Sequence, residues 1–160
     1  MSLLRPDAVV TSLANIDLET LWYKGKRGII LDLDNTITPW RQDILTVEAH
    51  DLIARARSMS YKIHLLSNSS GSRTRRVALQ LNVGYTAPGF KPFQGGYNRA
   101  LKQLVLSAEQ VIVIGDQIFT DVLGGNRAGC YTILATPVER TEFIGTKLMR
   151  MLESIIGRKR

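Results

Sequence analysis

Short apolar runs alternate along this chain with longer stretches whose apolar residues recur at helical spacing. The run Gly28-Ile29-Ile30-Leu31, entered from Arg27 and leading into Asp32, is short and rich in isoleucine, which suits a buried strand better than a helix. Over residues 46–59, Val47, Ala49, Leu52, Ile53 and Ala56 fall at helical spacing, and Thr46 is placed to cap that helix. Residues 61–66 predict a second strand, ended by the polar cluster Ser67-Asn68-Ser69-Ser70-Gly71-Ser72. A helix over about 73–81 follows, then a short apolar stretch at 83–87 and the turn-rich Pro88-Gly89-Phe90-Lys91-Pro92. Residues 98–106 are helical in pattern, 110–116 form a strand, 118–127 form another helix closed by Gly129, and 131–135 form a last strand.

Strand and helix in alternation with short links predict right-handed crossovers and a parallel sheet covered on both faces. The expected fold is therefore a doubly wound, Rossmann-like α/β domain. Ligands in such sheets sit outside the carboxyl ends of the strands. Here those ends collect the unusual polar residues: Asp32 and Asp34 after the first strand, Ser67 and Asn68 after the second, Asp116 after the fourth. Two carboxylates one residue apart behind a buried strand are hard to explain as structure. With Asp116 and Asp121 they would gather four negative charges, whose repulsion must be relieved by protonation or by a cation. Oxygen-only donors favour Mg²⁺, which needs few protein carboxylates.

These residues, in their order, resemble the haloacid dehalogenase phosphatases from Arg27 to about Thr136. Asp32, Asp34 and Thr36 match that family's first motif, Ser67 in Leu65-Leu66-Ser67-Asn68 the second, Lys91 in Phe90-Lys91-Pro92 the third, and Gly115-Asp116 through Thr120-Asp121 the fourth. The resemblance implies that Asp32 attacks phosphorus and carries the phosphoryl group, while Asp34 serves as acid and then base. Thr36 would help fix Asp34 and the loop, and with Ser67, Asn68 and Lys91 would make up the phosphate-binding set. It further implies Mg²⁺ held by Asp32, Asp116 and the backbone carbonyl of Asp34, with Asp121 orienting metal-bound waters.

Many relatives insert a cap between these motifs. Here Thr36 to Ser67 spans 31 residues and Ser67 to Lys91 spans 24, each largely filled by one core helix and its strand. A single capless domain over residues 1–160 is expected, with its core at about 27–136. An unlidded crevice implies either a covering second subunit in a homo-oligomer or a large substrate. The Leu4-Arg5-Pro6-Asp7 opening, Asp32-Leu33-Asp34-Asn35-Thr36, Gly115-Asp116-Gln117 with Thr120-Asp121, Gly125-Asn126-Arg127 and the run Glu142 to Lys147 look like the YqeG-type subfamily. That subfamily is similar to mitochondrial and plastid phosphatidylglycerophosphate phosphatases, which implies a lipid phosphate ester as substrate. A phosphoprotein, a nucleotide or a polynucleotide end are alternatives, as is a basic nucleic-acid-binding protein on a decayed phosphatase fold.

Charge leaves several partners open. Of 160 residues, 21 are Lys or Arg and 14 Asp or Glu, a formal net charge of +7 that draws any polyanion. Over about 138–157, Ile144, Leu148, Met151, Leu152 and Ile155 form one stripe beside Lys147 and Arg150, ahead of Arg158-Lys159-Arg160. Such a basic amphipathic helix suits an anionic membrane surface, the sheet or a second subunit. Arg73, Arg75 and Arg76 open the helix after Ser67, where the helix dipole disfavours cations, which suggests either a bound anion or a solvated basic face. Trp40, Phe90, Phe93 and Phe119 flank the motif loops and suit either an apolar approach to the crevice or core packing. No apolar run reaches the roughly 18 residues of a membrane span, and no signal peptide is legible at the start. With Cys130 as its lone cysteine, the expectation is a cytoplasmic protein, peripheral at most to the inner face of a membrane. His64, inside an apolar strand, is expected to be a satisfied core residue, and His50 to face solvent.

Overall fold

The computed structural model describes residues 2–139; the helix expected over about 138–157 falls almost wholly outside them. In chain order the elements are β1 (Ala8–Val10), α1 (Leu18–Tyr23), β2 (Gly28–Leu31), α2 (Val47–Ser58), β3 (Lys62–Leu66), α3 (Gly71–Leu81), β4 (Gly84–Thr86), α4 (Gln94–Leu104), β5 (Val111–Gly115), α5 (Leu123–Ala128) and β6 (Tyr131–Ala135). All six strands are parallel, in the order β1-β6-β5-β2-β3-β4. The fold is doubly wound α/β, as expected.

Side-chain alternation along β2 explains its central place. Ile29 and Leu31 enter one core with Leu18 and Leu21 of α1, Leu52 and Ile53 of α2, and Val77 and Leu81 of α3. Ile30 enters the other core, with Tyr97, Ala100 and Leu104 of α4. All four β2 residues are buried, because a strand covered on both faces has no side for water. Thr46 caps α2 by accepting the Ala49 N–H at 3.1 Å, as its position in the sequence predicts.

Three differences from the pattern have physical causes. The sequence reading leaves β1 and α1 unassigned, since three apolar residues between Pro6 and Ser12 carry no periodic signal. Tertiary contacts fix β1 instead: Asp7 Oδ2 accepts the Thr132 N–H at 2.8 Å, locking the edge strand onto β6. Helix α4 starts at Gln94 rather than near 98, despite two glycines in its first turn. Gly96 packs so tightly on the preceding loop that a Cβ there would lie 2.2 Å from the Gly89 carbonyl oxygen. The helix expected over 118–127 is split into a wide π-type turn, Ile118–Val122, followed by α5. Such turns recur at functional sites because they re-aim one side chain.

The chain passes from β2 outward to β3 and β4, then returns to place β5 on the other flank of β2. That reversal opens a crevice at the carboxyl ends of β2 and β5, the place where doubly wound sheets hold ligands. Asp32 follows β2 and Asp116 follows β5 directly, and both lie there.

Candidate active site

The loop after β2 winds around one carbonyl. Leu33 O accepts the N–H groups of Ile37 at 3.1 Å and Thr38 at 3.2 Å, while the Leu33 side chain is fully buried. Asp32 and Asp34 on either side of it are also buried, although they end up in different company. Asn35 takes a left-handed conformation (φ 62°), which asparagine tolerates well. Its amide then binds the chain past β6, donating to Glu139 O at 3.1 Å and accepting the Glu139 N–H at 2.8 Å. The sequence reading assigned Asn35 no role; an asparagine at the turn of a motif loop is the signal it offered.

Carboxylate oxygens of Asp32, Asp116 and Asp121 lie within 4.8 Å of one another, all three residues buried. Asp121 thus joins the acidic group itself, closer than its expected place behind the metal waters. Gly115 makes this possible: a Cβ there would sit 2.1 Å from the Asp121 carboxyl carbon. The Asp121 carboxylate also accepts the Gln117 N–H at 3.2 Å, so the π-type turn holds it inward. The Thr36 hydroxyl lies 3.1 Å from Asp116 Oδ1 and 3.4 Å from Asp32 Oδ2, bridging two strand ends.

Lys91, 3% exposed, directs its ammonium to Asp32 Oδ1 at 2.7 Å and to Asp121 Oδ1 at 2.6 Å. Burial works against its charge, but Asp121 and then Asp32 outweigh that and hold its pKa above the ordinary lysine range. Burial likewise pushes the Asp121 carboxyl upward, with Lys91 pulling it down. One ammonium facing a buried group of three carboxylates leaves negative charge to balance. An oxygen-only donor set of this kind fits a hard divalent cation.

Asn68 is engaged differently from the phosphate contact expected of it. Its Nδ2 donates to Lys91 O at 3.0 Å and its Oδ1 accepts the Lys91 N–H at 2.7 Å, gripping the backbone of the residue that supplies the ammonium. Ser67, buried at the end of β3, accepts the Ser69 N–H at 3.0 Å, and its carbonyl accepts the Gly89 N–H at 2.7 Å. Asp34 stands apart from the carboxylate group, paired with Arg73 and accepting the Arg41 N–H at 3.2 Å. Along the sequence Arg73 is only one of three arginines opening α3, because its partner lies 39 residues away.

His64 is buried against Thr86, with 2.9 Å between Nε2 and Thr86 Oγ1, away from the crevice, and His50 is exposed on α2. Among the described residues no helix is long and apolar enough to cross a membrane.

Comparison with known proteins decides the family. Residues 1–84 match the family model described as mitochondrial PGP phosphatase, and residues 90–140 match one described as HAD-hydrolase-like. A Bacillus subtilis (strain 168) relative named "Probable phosphatase YqeG" is 34% identical over 148 residues, covering 92% of this chain and 86% of its own. This chain belongs to the haloacid dehalogenase phosphatases, in their YqeG-type branch. It is a phosphoric monoester hydrolase by family. An Arabidopsis thaliana protein, phosphatidylglycerophosphate phosphatase 1, chloroplastic/mitochondrial, is 27% identical over 96% of this chain, which spans 47% of that relative's length. The chain spans 60% of a similarly named Chlamydomonas reinhardtii relative, at 25% identity. Among solved structures, a cobalt-bound Haemophilus influenzae deoxy-D-mannose-octulosonate 8-phosphate phosphatase superposes with a TM-score of 0.57 at 20% identity, covering 70% of this chain and 69% of that one. The magnesium-bound Bacillus subtilis HAD hydrolase YfnB gives 0.57 at 13% identity, covering 81% and 100%. These two establish the shared fold of the phosphatase core.

Proposed function

We propose that this phosphatase is a single capless unit that hydrolyses a phosphate monoester through an aspartyl phosphate on Asp32, with Mg²⁺ as cofactor and phosphatidylglycerophosphate as substrate. The observation that carries the chemistry is the convergence of Asp32, Asp116, Asp121 and Lys91, from three separate loops, on one buried point. Asp32, Asp116, the backbone carbonyl of Asp34 and, directly or through water, Asp121 are the groups suited to hold the ion. When bound, the ion supplies positive charge against the phosphoryl oxygens and the nucleophile.

Asp32 attacks phosphorus in line, forming an Oδ–P bond as the ester P–O bond breaks. Asp34 delivers a proton to the leaving oxygen. Its carboxylate then takes a proton from the water that attacks the aspartyl phosphate, releasing inorganic phosphate and restoring Asp32. Ser67 and Lys91 hold non-bridging oxygens, and Asn68 acts through Lys91 by fixing its backbone.

Two observations favour a lipid substrate at a surface. Phe90, Phe93 and Phe119 are 55%, 50% and 48% exposed, so all three phenylalanines among the described residues face solvent, beside the loops bearing Lys91 and Asp121. Ile118, also exposed and next to Phe119 in the chain, extends that apolar rim, and a chain of formal charge +7 is drawn to anionic headgroups. The named plant and algal relatives agree with this choice.

A panel of phosphate esters assayed with Mg²⁺ and with EDTA, lipid substrates included in mixed micelles, tests the reading. Rapid Mg²⁺-dependent release from the lipid is expected. Release from soluble nucleotides or a phosphopeptide alone would transfer the same chemistry to another substrate, and salt-dependent RNA binding without any release would remove it.

A further inference from the structure

Arg73 reaches from the first turn of α3 to the loop after β2. Its Nη2 pairs with Asp34 Oδ1 and its Nη1 donates to the Gln42 carbonyl at 3.0 Å. The Arg73 side chain is 12% exposed and that of Asp34 5%. The same Asp34 oxygen accepts the Arg41 N–H, so the carboxyl is fastened from two directions. One turn along α3, Arg76 holds Asp43 at 2.9 Å. Two arginines of one helix thus pin the loop that carries Asp34, and both bonds must break before it can swing away.

We propose that Arg73 positions Asp34 and that its remaining N–H groups take an anionic group on the leaving alcohol, so the site selects phosphate monoesters whose alcohol carries a second negative charge. The inference rests on the reading of Asp34 as the acid that protonates the leaving oxygen. Proton transfer requires the leaving alcohol to lie against Asp34. A guanidinium bonded to Asp34 then lies on the alcohol's side of phosphorus, whereas Lys91, bonded to Asp32 and Asp121, lies on the side of the transferring phosphoryl group. The two cations divide the substrate between them.

Guanidinium chemistry suits both tasks at once. Its planar fork offers five N–H donors, and Asp34 and Gln42 engage only part of it. Its residual exposure leaves a route for an anion. Exposed Arg41, which has no ion pair among the described residues and whose backbone N–H donates to Asp34, extends the positive field around that point.

Three soluble esters, turned over by the full chain with Mg²⁺, test this. Glycerol 3-phosphate releases a neutral alcohol. The same ester extended at its other primary hydroxyl by a phosphodiester to a second glycerol releases an anionic one. 4-Nitrophenyl phosphate releases a phenolate that needs little protonation. The wild type should favour the anionic alcohol over glycerol by about tenfold in kcat/KM, chiefly through KM. Arg73→Ala should erase that preference and lower kcat/KM on glycerol 3-phosphate by about 100-fold, while kcat/KM on the nitrophenyl ester, whose leaving group needs little protonation, stays within about threefold. Arg73→Lys should recover part of the charge preference without restoring the loss on glycerol 3-phosphate, since one nitrogen cannot span Asp34 and Gln42. A uniform loss of kcat/KM on all three esters in both variants would reduce Arg73 to a structural prop and overturn the proposal, as would an undiminished preference in Arg73→Ala. A wild type inert toward all three esters but active on phosphatidylglycerophosphate in mixed micelles would overturn this inference alone, and one inert toward the lipid as well would overturn the proposed substrate and this inference with it.

Discussion

Lys91 donates a 2.6 Å hydrogen bond to Asp121 across the floor of the crevice, and both side chains are almost completely buried. With Asp32 at 2.7 Å on the other side, the ammonium neutralises charge that the fold would otherwise have to desolvate unpaired. Lys91 therefore has a structural duty in addition to any contact with phosphate.

Lys91→Met should separate the two. Removing one partner of a buried pair leaves uncompensated carboxylates, a cost of about 3–5 kcal/mol. Urea unfolding in EDTA should show that loss, and Mg²⁺ should restore part of it by replacing the missing positive charge. Turnover with Mg²⁺ should fall by at least about 100-fold. An unchanged unfolding midpoint in EDTA would mean that the ammonium does not balance this group.

Asp32→Asn should abolish turnover, a loss of at least about 1,000-fold, because an amide oxygen cannot carry the phosphoryl group through the cycle. Its thermal midpoint should stay near that of the wild type, since the amide fills the same volume beside Lys91. Retained activity in a clean preparation would remove Asp32 as nucleophile. Asp34→Asn should lower kcat/KM on alkyl esters far more than on the nitrophenyl ester, because it deletes the acid rather than the attack, and should slow kcat on every ester through loss of the base in the second step.

Gly115→Ala puts a methyl group where the Asp121 carboxyl now lies, with the nearest atom 2.1 Å away. Asp121 must move, and with it the hydrogen bond from Gln117 N–H that closes the π-type turn. Turnover should drop by about 100-fold or more, along with the affinity for Mg²⁺ measured by calorimetry, as for loss of a group beside a metal. Wild-type Mg²⁺ affinity in this variant would show that Asp121 has no part in holding the ion.

His64 makes a separate, pH-dependent contribution. Burial against Thr86 holds its imidazole down at about 4, below the ordinary value of 6.5 that applies to the unfolded chain. The unfolded chain therefore takes up the proton first as pH falls. Stability from neutral His64 is complete above about pH 6.5 and is lost toward about pH 4, by up to about 3 kcal/mol. Unfolding free energies of the wild type and His64→Gln, followed between these limits, should diverge by that total amount, and parallel curves would refute it.

Asn68 should matter through Lys91. Asn68→Ala removes two hydrogen bonds to the Lys91 backbone, at 3.0 and 2.7 Å, and should lower kcat by about tenfold, less than loss of Lys91 itself. An effect confined to KM would instead favour direct contact with substrate.

Much of this was legible along the chain because it is local. A run such as Gly28-Ile29-Ile30-Leu31 must be buried wherever it goes, Thr46 caps the helix that follows it, and acidic residues directly behind apolar strands mark the ligand edge of a parallel sheet. The motif order Asp32, Asp34, Ser67, Lys91, Asp116 and Asp121, through its resemblance to the haloacid dehalogenase phosphatases, therefore points to a phosphoric monoester hydrolase before any coordinate. What the sequence could not decide was pairing between groups remote along the chain. Arg73 and Asp34 are 39 residues apart, Lys91 and Asp32 are 59, and the Asp7 clamp on β6 spans 125. Whether Asp121 lies among the carboxylates or behind them depended on the missing side chain of Gly115 and on one widened turn, and only packing in three dimensions fixes both.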